Sequence, residues 1–164
     1  MKIVFRFAMF AILVALGVWL WTVLFPSPEK VIRNRLTELA HTVSFSPNES
    51  DLARLAAAHT VAGFFSTNVE LNVDLPELGQ RTMDREEITQ AALLGRSRAG
   101  GLQVKFPDIN ITVAPDKQSA VVDLTVEANT SGERDSIVRE MKFTLQKTDG
   151  RWLITRVETV RTLS

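Results

Sequence analysis

The sequence predicts an α+β domain of 136 residues, with three helices packed on a bent, mostly antiparallel sheet, behind one apolar amino-terminal helix. Three observations carry this expectation. Between Val31 and Ala99, apolar residues recur at helical spacing in three stretches. From Leu102 onward they alternate with polar residues, the pattern of strands with one buried face. Before residue 28, the run from Phe7 to Phe25 holds no charged side chain.

That run is the first element. Its 19 residues span roughly 28 Å as a helix, close to the ~30 Å hydrocarbon core of a bilayer. Trp19 and Trp21 sit near its far end, where amphipathic rings favour the interface. Pro26 and Pro28 then stop the helix. The expected division is residues 1–28 as a transmembrane anchor with a Pro-rich exit, and 29–164 as the folded body. A cleaved secretory signal is the rival, with Ala15 and Gly17 as the small pair, but cleavage there leaves an apolar stretch exposed. Lys2 and Arg6 precede the run while Lys30, Arg33 and Arg35 follow it, so the cation count is nearly balanced. A short cationic leader favours a single-pass inner-membrane protein with its carboxy-terminal domain outside the cytoplasm.

In the body, Val31, Ile32, Leu36, Leu39, Ala40 and Val43 mark the apolar face of a first helix. Ser46-Pro47-Asn48-Glu49 reads as a capping box opening a second, with Leu52, Leu55, Ala56, His59 and Ala62 on its apolar side and a stop at Gly63. Phe64 to Asp74 reads as a strand, followed by a loop through Pro76, Gly79 and Gln80. Asp84-Arg85-Glu86-Glu87 caps a third helix ending near Ala99, before Gly100-Gly101. Leu102 to Val113 is expected as one long strand bent at Pro107-Asp108, where the apolar parity slips. Ala120 to Ala128 makes the next strand. Ile137–Lys147 and Arg151–Leu163 flank Asp149-Gly150, a strong hairpin signal.

This order resembles the nuclear transport factor 2-like (SnoaL-like, cystatin-like cone) superfamily over roughly residues 29–163. The resemblance rests on Met83-Asp84-Arg85-Glu86-Glu87-Ile88, on Phe106-Pro107-Asp108-Ile109 at the strand bend, and on Asp149-Gly150-Arg151-Trp152-Leu153-Ile154. It implies a cone whose helices close over the concave face of the sheet, but no single activity, because that fold hosts enzymes, carriers and scaffolds.

Composition narrows the chemistry. Lys plus Arg equals Asp plus Glu at 19 each, and removing Lys2 and Arg6 leaves the body 17 basic against 19 acidic residues. That balance speaks against nucleic acid as a partner. There is no Cys and no Tyr, so thiolate sites and the phenolic donor used by enzymes resembling ketosteroid isomerase are excluded. No motif calls for a metal or another cofactor. His41 lies at the end of the first helix, where a cation favours the macrodipole. Glu70 and Asp74 read as solvated carboxylates. A two-residue turn pairs Thr148 with Arg151, which predicts Phe143 opposite Arg156, Met141 opposite Glu158 and Arg139 opposite Val160. Arg139, Arg156 and Glu158 then share a face with Met141, Phe143 and Trp152. With His59 they are the pocket candidates: a polar floor able to hold an anion, or an internal ion cluster and rim charges. No catalytic set is assigned.

Two functions remain. One is a membrane-tethered, non-catalytic binding or scaffold domain of a bacterial envelope assembly. Its partners would be the bilayer through residues 7–25, envelope proteins, and a second copy through the open sheet face, where Val121, Val138, Leu153 and Val157 are expected. The other is a small-molecule pocket protein, a carrier before a hydratase- or isomerase-type enzyme. A closed core sinks the second reading, and an open cavity with those side chains converging supports it.

Overall fold

The computed structural model describes residues 11–20, 26–73, 79–131 and 136–160. Residues 11–20 are helical. Among the described residues no helix is long and apolar enough to cross a membrane. The remainder of the expected span, residues 7–10 and 21–25, lies outside them.

Among the described residues, the body is three helices on one seven-stranded sheet. Helix α1 (Pro28–Val43) is capped by Ser27, whose hydroxyl accepts from the Lys30 amide, with Pro28 at its first position. It buries Ile32, Leu36, Leu39 and Ala40, the expected face. Helix α2 (Asp51–Ala62) departs from expectation twice. Its cap is Ser50, not Ser46, because the Glu49 carboxylate is engaged by Arg96. Its buried residues are Ala58, Val61 and Ala62, while Leu52, Leu55 and His59 face outward. Apolar residues surround this helix on nearly every side, so spacing alone does not select a face. The alanine side permits the closest approach to its neighbours.

Strand β1 (Phe65–Asn72) pairs antiparallel with β2 (Gln80–Asp84), which occupies part of the expected loop. Helix α3 (Arg85–Arg98) follows at once. Its capping box is complete: Asp84 accepts from the Glu87 amide, and Glu87 accepts from the Asp84 amide. The expected single bent strand is two, β3 (Leu102–Lys105) and β4 (Ile109–Val113), both paired with β5 (Ser119–Thr130). Pro107 cannot donate to a ladder, and the Asp108 carbonyl accepts instead from the Thr125 amide. β6 (Ile137–Thr148) and β7 (Arg151–Thr159) complete a sheet of order β2-β1-β7-β6-β5-β3, with β4 also on β5. All its pairings are antiparallel except β1 with β7. Asp149 and Gly150 both have positive φ, 50° and 76°, the requirement of a tight hairpin turn.

Two arginines fasten the helices. Arg96 on α3 is buried, yet it reaches Glu49 at 2.7 Å, donates to the Thr42 carbonyl at the end of α1, and lies 4.9 Å from the Phe45 ring centroid. One side chain thus ties three segments. Arg35 donates to the Gly63 carbonyl at 2.9 Å and lies over the Phe64 ring. Its pKa is lowered chiefly by burial, with Arg151 adding to the effect and Glu38 opposing it.

Glu49→Ala leaves the Arg96 charge buried without its counter-ion, and the expected loss of stability is about 3–5 kcal/mol. Urea unfolding of the variant beside the parent checks this; a loss under about 1 kcal/mol means that the pair does not hold the helices.

Candidate functional site

A cone of this kind offers its concave face as the natural site, and here much of that face is filled. Ile32, Leu36 and Leu39 of α1 meet Val122, Phe143, Leu145, Trp152, Ile154 and Val157 of the sheet in one continuous apolar cluster. Phe106 from the β3–β4 link packs edge-on against Phe143, ring centroids 6.4 Å apart. Trp152, a pocket candidate from the sequence, is 2% exposed, and Phe143 is buried beside the same cluster.

The charges expected beside them lie elsewhere. The hairpin keeps the predicted register from Thr148–Arg151 to Leu145–Ile154, then shifts by one residue at Thr155. Beyond the shift Thr144 faces Arg156, Phe143 faces Val157 and Lys142 faces Glu158. Val157 rather than Arg156 therefore enters the core, and the expected pairs Phe143–Arg156 and Met141–Glu158 do not form. The reason is energetic: burying the two charges costs several kcal/mol each, and one bulge avoids it. The Thr155 hydroxyl donates to the Thr144 carbonyl at 3.2 Å, satisfying a group in the disturbed ladder.

Arg156 instead joins Glu70 across the outer face, its Nε 2.8 Å from the carboxylate, in a polar hollow with Glu158 and Arg81. Arg139 faces Val126 on β5 and is exposed, and its expected partner Val160 donates its amide to the Glu140 carbonyl. His59 lies on the other side of the helices, in a groove with Leu55, Ala62 and Leu93. The seven candidates thus occupy several separate places and share no point at which a ligand could meet them all. On the outer face Val121 and Val138 are exposed as expected, but Leu153 and Val157 are buried.

A cleft of about 600 Å³ opens where β3 and β4 part. Arg33, Met141, Leu124 and Val160 line it, with the carboxylates of Asp108, Asp123 and Glu140. Met141 is the single predicted candidate there. The Arg33 guanidinium is occupied by the Ile109 carbonyl at 3.0 Å, and Lys142 stands 3.7 Å from Asp123. The cleft is open and gathers three carboxylates, with no imidazole among its lining residues. Sequence reasoning did not name Arg33, Asp108 or Glu140, although the parity slip at Pro107-Asp108 marks the place.

No protein-family model matches this chain, and no curated protein sequence matches it. Solved structures do match. A candidate scytalone dehydratase from Novosphingobium aromaticivorans is 18% identical, covering 82% of this chain and 84% of its own, with a TM-score of 0.59. A nuclear transport factor 2-like protein of unknown function from Pseudomonas putida is 9% identical over 81% and 85%, with a TM-score of 0.62. A chain of the yeast deubiquitinase Ubp3 and Bre5 cofactor complex is 14% identical over 84% and 100%, with a TM-score of 0.57. At such identities the likeness establishes the fold, the nuclear transport factor 2-like cone, and no activity.

Filling and display have opposite signatures in stability. Trp152→Ala is expected to cost about 3–5 kcal/mol, while Arg156→Ala, which breaks an exposed pair, costs less than about 1 kcal/mol. Denaturant midpoints of the two variants compared with the parent check this; equal losses would place Arg156 in the interior.

Proposed function

We propose that this protein is a membrane-tethered, non-catalytic binding domain that works through its surfaces, as a holding or recruiting part of an envelope assembly. The observation that carries the proposal is the cone interior, where Phe143, Leu145, Trp152 and Ile154 pack with Ile32, Leu36 and Leu39 of α1. His59, Arg139 and the Arg156–Glu70 pair lie apart from one another and outside that core. The tether draws on residues 11–20, where Ile12, Leu13, Val14, Leu16, Val18, Trp19 and Leu20 are each at least 50% exposed. A helix apolar on every side is stable in lipid. The expected topology, an inner-membrane anchor with the body outside the cytoplasm, belongs to the same proposal.

The surfaces on offer include the outer face of the sheet, where Val121 and Val138 stand exposed and a second copy could pack. A second reading draws on the 600 Å³ cleft beside Arg33 and on the dehydratase name of one fold neighbour. A carrier or hydratase-type enzyme would use that cleft. Against it stand the engaged Arg33 and the absence of Tyr from the whole chain.

Gentle crosslinking of the full chain in its native membrane, followed by purification and mass spectrometry, separates the two. Stoichiometric partner proteins are expected. A homodimer without partners that binds a small molecule, with binding lost in Arg33→Ala at an unchanged melting temperature, contradicts the proposal and supports the cleft.

A further inference from the structure

We infer that the end of the body from which the apolar segment emerges is a docking surface for the headgroups of an anionic bilayer. This inference rests on the tether proposed above and adds a second contact, made by the folded body itself. The first argument is reach. Between Phe25 and the start of α1 at Pro28 stand only Pro26 and Ser27, three peptide steps or about 10 Å of extended chain. A body held so closely sits at headgroup level, and its near end touches the interface.

The helix path shows which end is near. α1 passes Ile109 of β4 at Arg33 and meets Val104 of β3 at Ser44. Its amino terminus therefore points away from β3, toward the two tight turns at the opposite end of the strands. These are the turn before β5, with Lys117 at φ 55°, and the Asp149-Gly150 turn between β6 and β7. They adjoin, since the Lys147 amide donates to the Gln118 carbonyl. Arg35, in the second turn of α1, lies near enough to Arg151 for the two charges to interact.

The charges complete the argument. Lys30, Arg35, Lys117, Lys147 and Arg151 gather at this end, and among the described residues none has a carboxylate within ion-pair distance. Every arginine pair lies elsewhere: Arg54 with Asp51, Arg81 with Glu87, Arg96 with Glu49 and Arg156 with Glu70. The local acids are Glu29, Glu38, which acts on Arg35 without pairing with it, Asp116 and Asp149, and the Asp116 carboxylate accepts from the Gln118 amide of its own turn. Cations without carboxylate partners beside a membrane exit are complementary to anionic lipid, whose field acts within a Debye length of the surface.

The full chain contains no Cys, so one introduced thiol carries one dye. The dye is placed at Gln118→Cys for the near end and at Ser97→Cys on α3 as a distant control. The chain is reconstituted into vesicles of phosphatidylcholine alone, or with added phosphatidylglycerol, with an energy acceptor on the headgroups. Energy transfer from position 118 should rise with the anionic lipid, fall back in high salt, and lose the rise in Lys147→Gln/Arg151→Gln. Those two side chains are exposed, so the variant should keep its fold. Position 97 should not respond. Flotation with the vesicles while position 118 ignores lipid charge, salt and substitution overturns the headgroup surface but keeps the tether. Failure to float with either vesicle overturns both.

Discussion

The bulge at Thr155 determines which side chains enter the cone. Without it, the alternation set at the Asp149-Gly150 turn carries Arg156 and Glu158 onto the face shared with Trp152 and Ile154. With it, β7 changes parity between Ile154 and Val157, so Val157 rather than Arg156 follows Trp152 and Ile154 onto the concave face. The cost is one disturbed step in the β6–β7 ladder, and the Thr155 hydroxyl compensates by reaching the Thr144 carbonyl. Arg156 is delivered to the outer face, where Glu70 of the parallel neighbour β1 receives it. One inserted residue thus separates a packed interior from a charged exterior, and the filled cone follows from it.

The helices depend on a different device. α1 ends, the chain turns through Phe45 and Glu49, and α2 begins; α3 lies beside that corner, and its Arg96 guanidinium contacts the end of α1 and the turn. A buried charge is tolerated because its donors meet a carboxylate, a carbonyl and an aromatic face together. At the same corner Gly101 has φ 135°, and a Cβ there would come within 2.5 Å of the Ser131 hydroxyl. The break after α3 therefore needs glycine for conformation and for space.

Much of this was legible in the sequence. The apolar face of α1, the Asp84–Glu87 capping box and the Asp149-Gly150 turn each follow from local rules, and local rules sufficed. Where the chain departed from them, a distant contact intervened. Glu49 looks like a capping residue until Arg96, 47 positions away, claims it. α2 has apolar residues on most sides, so its buried face was set by which side packs closest. Arg156 and Glu158 leave the expected face for one reason: a register counted from a turn is valid only as far as the first bulge. Val157 beside Arg156 was the available hint, since a shift of one position exchanges a charge for a valine.

The role proposed for this body, presenting surfaces rather than enclosing a ligand, draws on the packing of its cone. The filled cone is the point on which that account stands, and Trp152 reports on it directly. The chain has three tryptophans, so replacing Trp19 and Trp21 with Phe leaves Trp152 as the sole indole. Its emission should then be blue-shifted and quenched by acrylamide many-fold more slowly than an exposed indole, with no ligand added. A red-shifted, readily quenched emission, or one that a small molecule moves, would show an open cone and contradict the account.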